Sequence, residues 1–195
     1  MAARLEGSRL LIPLALLLAA GVLLAIATAG GYLAALPLLM SPTADVAFIL
    51  FALAFAASSL ARLLPNAGTR FLLRNRRYLG LGFAMVHFTH LALVLSSITL
   101  VAGQAREPAT LVPGVIAYAF LALMTVTSND ASVRRLGPRR WRRLHRVGSY
   151  YIWLIFLATT LPPSAGTAWM LLACLLVLAL RIGAYQRATG KKLRV

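Results

Sequence analysis

Six long apolar runs alternate with short polar or basic segments along this 195-residue chain. They lie at about 10–29, 44–64, 78–101, 111–127, 147–161 and 167–185. A helix needs about 20 largely apolar residues to cross a bilayer core, so the pattern predicts six transmembrane helices packed as one bundle. The first run has a basic start and small residues near its end, features shared with a signal peptide. Its length of about 20 residues favours a span. Between the first two runs, Gly30 to Thr43 with Pro37 and Pro42 predicts an uncharged loop. The fifth run is short and closes at Pro162–Pro163, which end a helix. Its inner end is expected to reach back through Trp141–Arg146 as an amphipathic turn.

Composition supports this reading. Hydrophobic residues make up 61% of the chain, more than a soluble domain can cover, so the fold class is an all-α integral membrane protein. The formal charge of +16, from 20 Lys+Arg against 4 Asp+Glu, would suit nucleic acid if it were clustered on a soluble face. Here 19 of the 20 basic residues fall at the N-terminus, around the segments joining runs two to three and four to five, or at the C-terminus, with Arg106 the exception. The positive-inside rule then places both termini in the cytoplasm of a multi-pass protein of the inner (plasma) membrane. The lipid bilayer is the expected partner and nucleic acid is not. A single cysteine, Cys174, excludes an internal disulfide and a multi-thiolate metal site. No Gly-rich dinucleotide fingerprint or P-loop occurs, and acidic coupling residues of the kind transporters use are nearly absent from the runs.

The chemistry concentrates in the third run, RRYLGLGFAMVHFTHLALVLSSITL, Arg76 to Leu100. His87 and His90 lie one helical turn apart and share a face. Ionisable residues inside a span are rare and mark functional sites. His90 lies about 18 Å up the helix from Tyr78, in the outer half of the core, with His87 near the middle. His145 stands at the cytoplasmic mouth of the fifth run beside Trp141 and a cluster of arginines. Neutral imidazole suits heme iron, and facing helices of a bundle build such sites. Arginines at the inner end, Arg77 among them, match heme propionates. The same residues also allow plainer roles: a hydrogen bond to a neighbouring helix for the paired histidines, and a solvated interfacial position for His145. The H-x-x-H pair with Met85 or Met170 would also accept a transition metal such as copper.

Two motifs bear on that choice. Arg76-Arg77-Tyr78-Leu79-Gly80-Leu81 leads into the third run, and Leu136-Gly137, Trp141 and Leu144-His145-Arg146 lead into the fifth. Together they resemble the ferric-reductase-like transmembrane domain, of the type found in the heme-binding membrane subunit of the bacterial periplasmic methionine-sulfoxide reductase system. The resemblance covers roughly Thr43 to the end of the sixth run. It implies heme b, with His90 as the span-three ligand and His145 as a further family histidine. It also implies electron transfer from a cytoplasmic flavoprotein or a membrane quinol to a periplasmic acceptor, such as a reductase subunit. Any quinone or flavin would then belong to the donor side.

One position departs from the family pattern. A second span-five histidine is expected 13 residues after His145, where this chain has Ala158. Fourteen residues before His90, where two-heme relatives carry an inner histidine, stands Arg76. His145 cannot replace the outer ligand, because 13 residues are about 20 Å of straight helix. The open alternatives are His87, a sulfur ligand from Met170 or Cys174, a five-coordinate iron, or a heme-free scaffold or accessory subunit that docks a partner or anionic lipid through its basic segments.

Overall fold

The computed structural model describes residues 6–101 and 108–190. Arg106 and Glu107, and the C-terminal Lys191, Lys192 and Arg194, lie outside the described residues. A short 3-10 turn at Gly7–Leu10 leads into eight α-helices among the described residues, and no strand occurs there. They are α1 (Leu11–Ala29), α2 (Tyr32–Leu63), α3 (Ala67–Arg74), α4 (Arg76–Leu100), α5 (Pro108–Val126), α6 (Asp130–Leu136), α7 (Pro138–Thr159) and α8 (Ala168–Gly190).

Four helical stretches are long and apolar enough to cross a membrane: Gly7–Ala29, Tyr32–Leu63, Arg76–Leu100 and Ala168–Gly190. A fifth arises if α5 and α6 count as one span, although the chain bends by 104° between them. α7 has the length of a span, with 22 residues, but its first turns carry Arg139, Arg140, Arg142, Arg143 and Arg146. Only its outer part is apolar.

The largest departure from the sequence reading is at α2. The Gly30–Thr43 segment is helical from Tyr32 onward, and Pro37 and Pro42 lie inside the helix. The turn is confined to Gly30–Gly31, where Gly30 takes the left-handed conformation (φ 77°) that ends α1. A proline removes one backbone donor. Within apolar helices, Ser and Thr hydroxyls re-satisfy nearby backbone groups. Thr43, next to Pro42, donates back to the Leu39 carbonyl at 2.7 Å and lies 3.1 Å from that of Met40. α7 reaches back through Trp141–Arg146 as expected, and further, to Pro138. It runs unbroken from Pro138, after Gly137 at φ 77°, so the expected amphipathic turn is the first part of one helix.

The second basic segment, between α2 and α4, folds as α3. Asn66 caps it reciprocally with Thr69: each side chain accepts from the other's backbone N–H, at 2.9 and 3.0 Å. α6 is capped by Asn129, which accepts from the Ser132 N–H at 2.8 Å. Asp130 in its first turn suits the positive end of the helix dipole.

α2 is the central helix and packs most extensively on α4, then on α8; α7 packs chiefly on α5. α1 buries no residue and presents an apolar surface all round, as expected of a helix in lipid. The core is aromatic. Phe48, Phe51 and Phe55 of α2 meet Phe83 of α4 and Phe156 of α7, with Phe51 5.3 Å from Phe83 and Phe48 5.1 Å from Phe156. These are edge and tilted geometries that the ring quadrupole favours. At Gly148 the side chains of α5 pack directly on the backbone of α7, so that an added Cβ would sit 2.8 Å from Met124 Sδ, a small-residue contact common between membrane helices. α2 and α8 are also joined at their adjacent ends. Arg62 donates to the Ala184 carbonyl at 3.2 Å, and Arg187 to that of Leu63 at 3.1 Å.

Candidate functional site

Two cavities lie between α4 and α7, named outer and inner after the orientation that the positive-inside rule predicts. The outer one, about 270 Å³, is lined by His87 and His90 of α4, Ala44 of α2, Thr159 of α7 and Met170 of α8, among others. The inner one, about 500 Å³, holds Trp141, His145 and six arginines: Arg74, Arg76, Arg77, Arg142, Arg146 and Arg181. Leu121 of α5 borders both.

The structure thus brings His87 and His90 together, as their spacing predicts. Their rings are nearly parallel, with centroids 5.6 Å apart. His90 Nδ1 lies 3.0 Å from Thr43 Oγ1. Thr43 has one hydroxyl proton and spends it on the carbonyls of its own helix. A hydroxyl donating to its own helix matches the His90 tautomer with the proton on Nδ1. His87 is held by rings instead. Tyr118 stacks on it at 4.9 Å, with Phe83 at 5.1 Å and Phe156 at 5.6 Å. Tyr118 Oη also donates to the His87 carbonyl at 3.2 Å. His87 Nδ1 is buried without a hydrogen-bond partner among the described residues. Leaving such an atom unpaired costs about 1–3 kcal/mol.

His145 belongs to the inner cavity and is locked in the opposite sense. Its Nε2 lies 3.1 Å from Thr127 Oγ1, and that hydroxyl donates to the Leu123 carbonyl at 2.6 Å. The same arrangement at Thr127 matches the His145 tautomer with the proton on Nε2. Trp141 stacks on the imidazole at 4.2 Å and donates from its indole N–H to the Thr127 carbonyl at 2.9 Å. His145 and Trp141 together fasten the start of α7 to the end of α5.

The inner cavity is strongly cationic. Two of its six arginines form ion pairs among the described residues, Arg74 with Glu6 at 2.9 Å and Arg77 with Asp130. The hydrogen bond from Arg77, then its charge, holds the Asp130 carboxyl below the usual carboxylate range. Arg76 donates to Ser58 at 3.1 Å. Arg181 donates to the Phe55 carbonyl at 2.8 Å and to Tyr150 Oη at 2.9 Å, and its guanidinium lies 4.0 Å from the Phe55 ring centroid. A site with this much fixed positive charge and an aromatic wall suits an anionic, planar group.

Ala158, the family-pattern position without its histidine, is exposed and does not line the outer cavity. Its neighbour Thr159 does. Of the two candidate sulfurs, Met170 lines the outer cavity and Cys174 does not. Cys174 is buried on α8, and its carbonyl accepts from the Trp153 indole at 3.2 Å. No cluster of three or more His, Cys, Asp or Glu that would hold a bare metal ion occurs among the described residues. The sequence reading missed Thr43, Thr127, Tyr118 and Arg181. Only Arg181 left a signal, as a lone charge flanked by apolar residues.

The described helices thus set imidazole in one internal cavity and guanidinium in the next. Residues 43–158 match the ferric reductase like transmembrane component family, and the chain belongs to that family. It is 36% identical over 105 residues to the protein-methionine-sulfoxide reductase heme-binding subunit MsrQ of Ralstonia nicotianae, covering 51% of this chain and 46% of that protein. It is 38% identical over 82 residues to the subunit of the same name from Brucella ovis, covering 39% and 36%. These matches therefore span less than half the length of either relative. No solved structure matches the chain.

Proposed function

We infer that this protein is a heme-binding electron-transfer subunit of the inner membrane, with six spans, both termini cytoplasmic and His90 as the principal iron ligand. The observation that carries the reading is the Thr43–His90 hydrogen bond. It matches the tautomer with the lone pair on Nε2, in a residue that lines an intramembrane cavity. Partners of this kind orient ligating histidines and raise their basicity.

The residues fit a b-type heme. An imidazole of defined tautomer stands at the outer cavity, apolar and aromatic side chains surround it, and the guanidinium groups of the adjoining inner cavity match two propionates. When bound, the heme supplies reversible one-electron chemistry. The chain's own residues do the rest. His90 binds and orients. Arg77 and the neighbouring arginines balance negative charge at the cytoplasmic end. Trp141 and His145 hold that end closed against α5, and the Phe51–Phe83–Phe156 cluster keeps water from the space between the cavities. Electrons would come from a cytoplasmic flavoprotein or a membrane quinol, one at a time, and leave to a periplasmic acceptor such as a reductase subunit. The similarity to subunits named as heme-binding supports this reading.

The test is an absorption spectrum of detergent-purified protein, oxidised and then dithionite-reduced, after expression with heme supplied. A Soret band with sharp reduced α and β bands is the expected result. If no Soret band appears, heme binding is refuted and a heme-free accessory subunit becomes the better account.

A further inference from the structure

The outer cavity holds a second donor besides imidazole. α7 contributes Ile152, Ile155, Phe156 and Thr159 to its wall, none of them suited to bind iron. His87 and His90 are on one helix, one turn apart, with parallel rings, so they cannot take opposite faces of one planar macrocycle. The remaining lining residue with a soft donor atom is Met170, which comes from a different helix.

We propose that Met170 is the second axial ligand of the heme, giving a His90/Met170 pair in place of the bis-histidine pair expected when position 158 is histidine. This rests on the heme-binding reading above.

Three features favour Met170. It is 7% exposed, and its side chain borders the same cavity as His90. It also sits in the first turn of α8, which is firmly placed. The Ser164 N–H donates to Thr167 Oγ1 at 3.0 Å, the Met170 N–H bonds the Thr167 carbonyl at 3.0 Å, and Trp169 packs edge-on against Phe48 at 5.4 Å. The Trp153–Cys174 hydrogen bond ties the same helix to α7 one turn further on. Ligands mounted on rigid elements of this kind hold their geometry. Finally, thioether is a recognised partner of histidine at heme iron, and it raises the reduction potential relative to two imidazoles.

The experiment compares heme-loaded wild type with Met170→Leu, Met170→His and the control Cys174→Ala. Leu conserves the volume of Met, so the bundle should fold. Wild type should be low-spin, with the near-infrared sulfur-to-iron band of ferric His/Met heme. Met170→Leu should lose that band, turn high-spin and bind carbon monoxide readily once reduced. Met170→His should stay low-spin with a lower midpoint potential, and Cys174→Ala should match wild type. A Met170→Leu protein with the wild-type spectrum and potential overturns the assignment, as does a wild-type heme that is already high-spin; both leave heme binding intact. A wild type without heme sinks the proposed function and this inference together.

Discussion

His90 and His145 are anchored by the same device and aimed in opposite ways. Each imidazole meets a threonine on a neighbouring helix, and each threonine has committed its proton to a carbonyl of its own helix. At His90 the bonded nitrogen is Nδ1, which matches the tautomer with the lone pair on Nε2, the outer nitrogen of the ring. At His145 the bonded nitrogen is Nε2, which matches the tautomer with the lone pair on Nδ1, next to its own backbone. In the proposed reading the first arrangement presents a ligand, whereas the second fastens two helices. A histidine's chemistry is thus set by which nitrogen its neighbour takes, and the residue letter does not show this.

The largest effect expected from breaking this contrast is at His90. His90→Ala should lose most of the bound heme, while His145→Ala should retain it. Heme content per protein by pyridine hemochrome measures both.

Next come the two threonines. Thr43→Val removes the partner of Nδ1 at nearly constant shape and should weaken heme binding about 10- to 100-fold, the usual cost of losing such a partner. Thr43→Ser should restore it. Thr127→Val should leave heme affinity unchanged and cost about 1 kcal/mol of stability, seen as a lower thermal midpoint and faster amide exchange at the start of α7.

Gly148→Val affects the scaffold common to both sites. With a Cβ already 2.8 Å from Met124 Sδ and 3.2 Å from Phe120 Cδ1, it should force these side chains to repack at a cost of about 1 kcal/mol, measured by thermal unfolding in detergent.

The smallest effect concerns the tie between Arg77 and Asp130. The Asp130 carboxyl is held below its ordinary value of 3.8 by the hydrogen bond from Arg77 and then by its charge. A depressed carboxylate contributes stability that is present above its unfolded value and fades as pH falls through the lower folded one. Protection factors of the α6 amides, taken relative to intrinsic exchange at each pH, should therefore stay flat at neutral pH and fall only in strong acid. Asp130→Asn should show the lowered protection at pH 7.

Much of the scaffold was legible because hydrophobic length is a strong signal. α1, α4 and α8 begin and end close to the apolar runs that predict them. α2 was misread because Pro37 and Pro42 signal a loop in water, whereas a membrane helix absorbs them. α7 was read short because its arginines mask a helix that starts at Pro138. The site was legible as residue types on one helix face, His87 with His90, and as a possible sulfur at Met170. Thr43 and Thr127 were not, since a threonine becomes a histidine's partner only when a helix distant in sequence is packed beside it. The same holds for position 158, where family spacing points at Ala158 but the helix turns Thr159 to the cavity.

The most direct test sets His90→Ala and His145→Ala side by side, expressed with heme, matched for folding by size-exclusion profile and assayed for heme stoichiometry. The account predicts near-complete loss in the first and near wild-type content in the second. Equal loss in both, or loss only in His145→Ala, would contradict it.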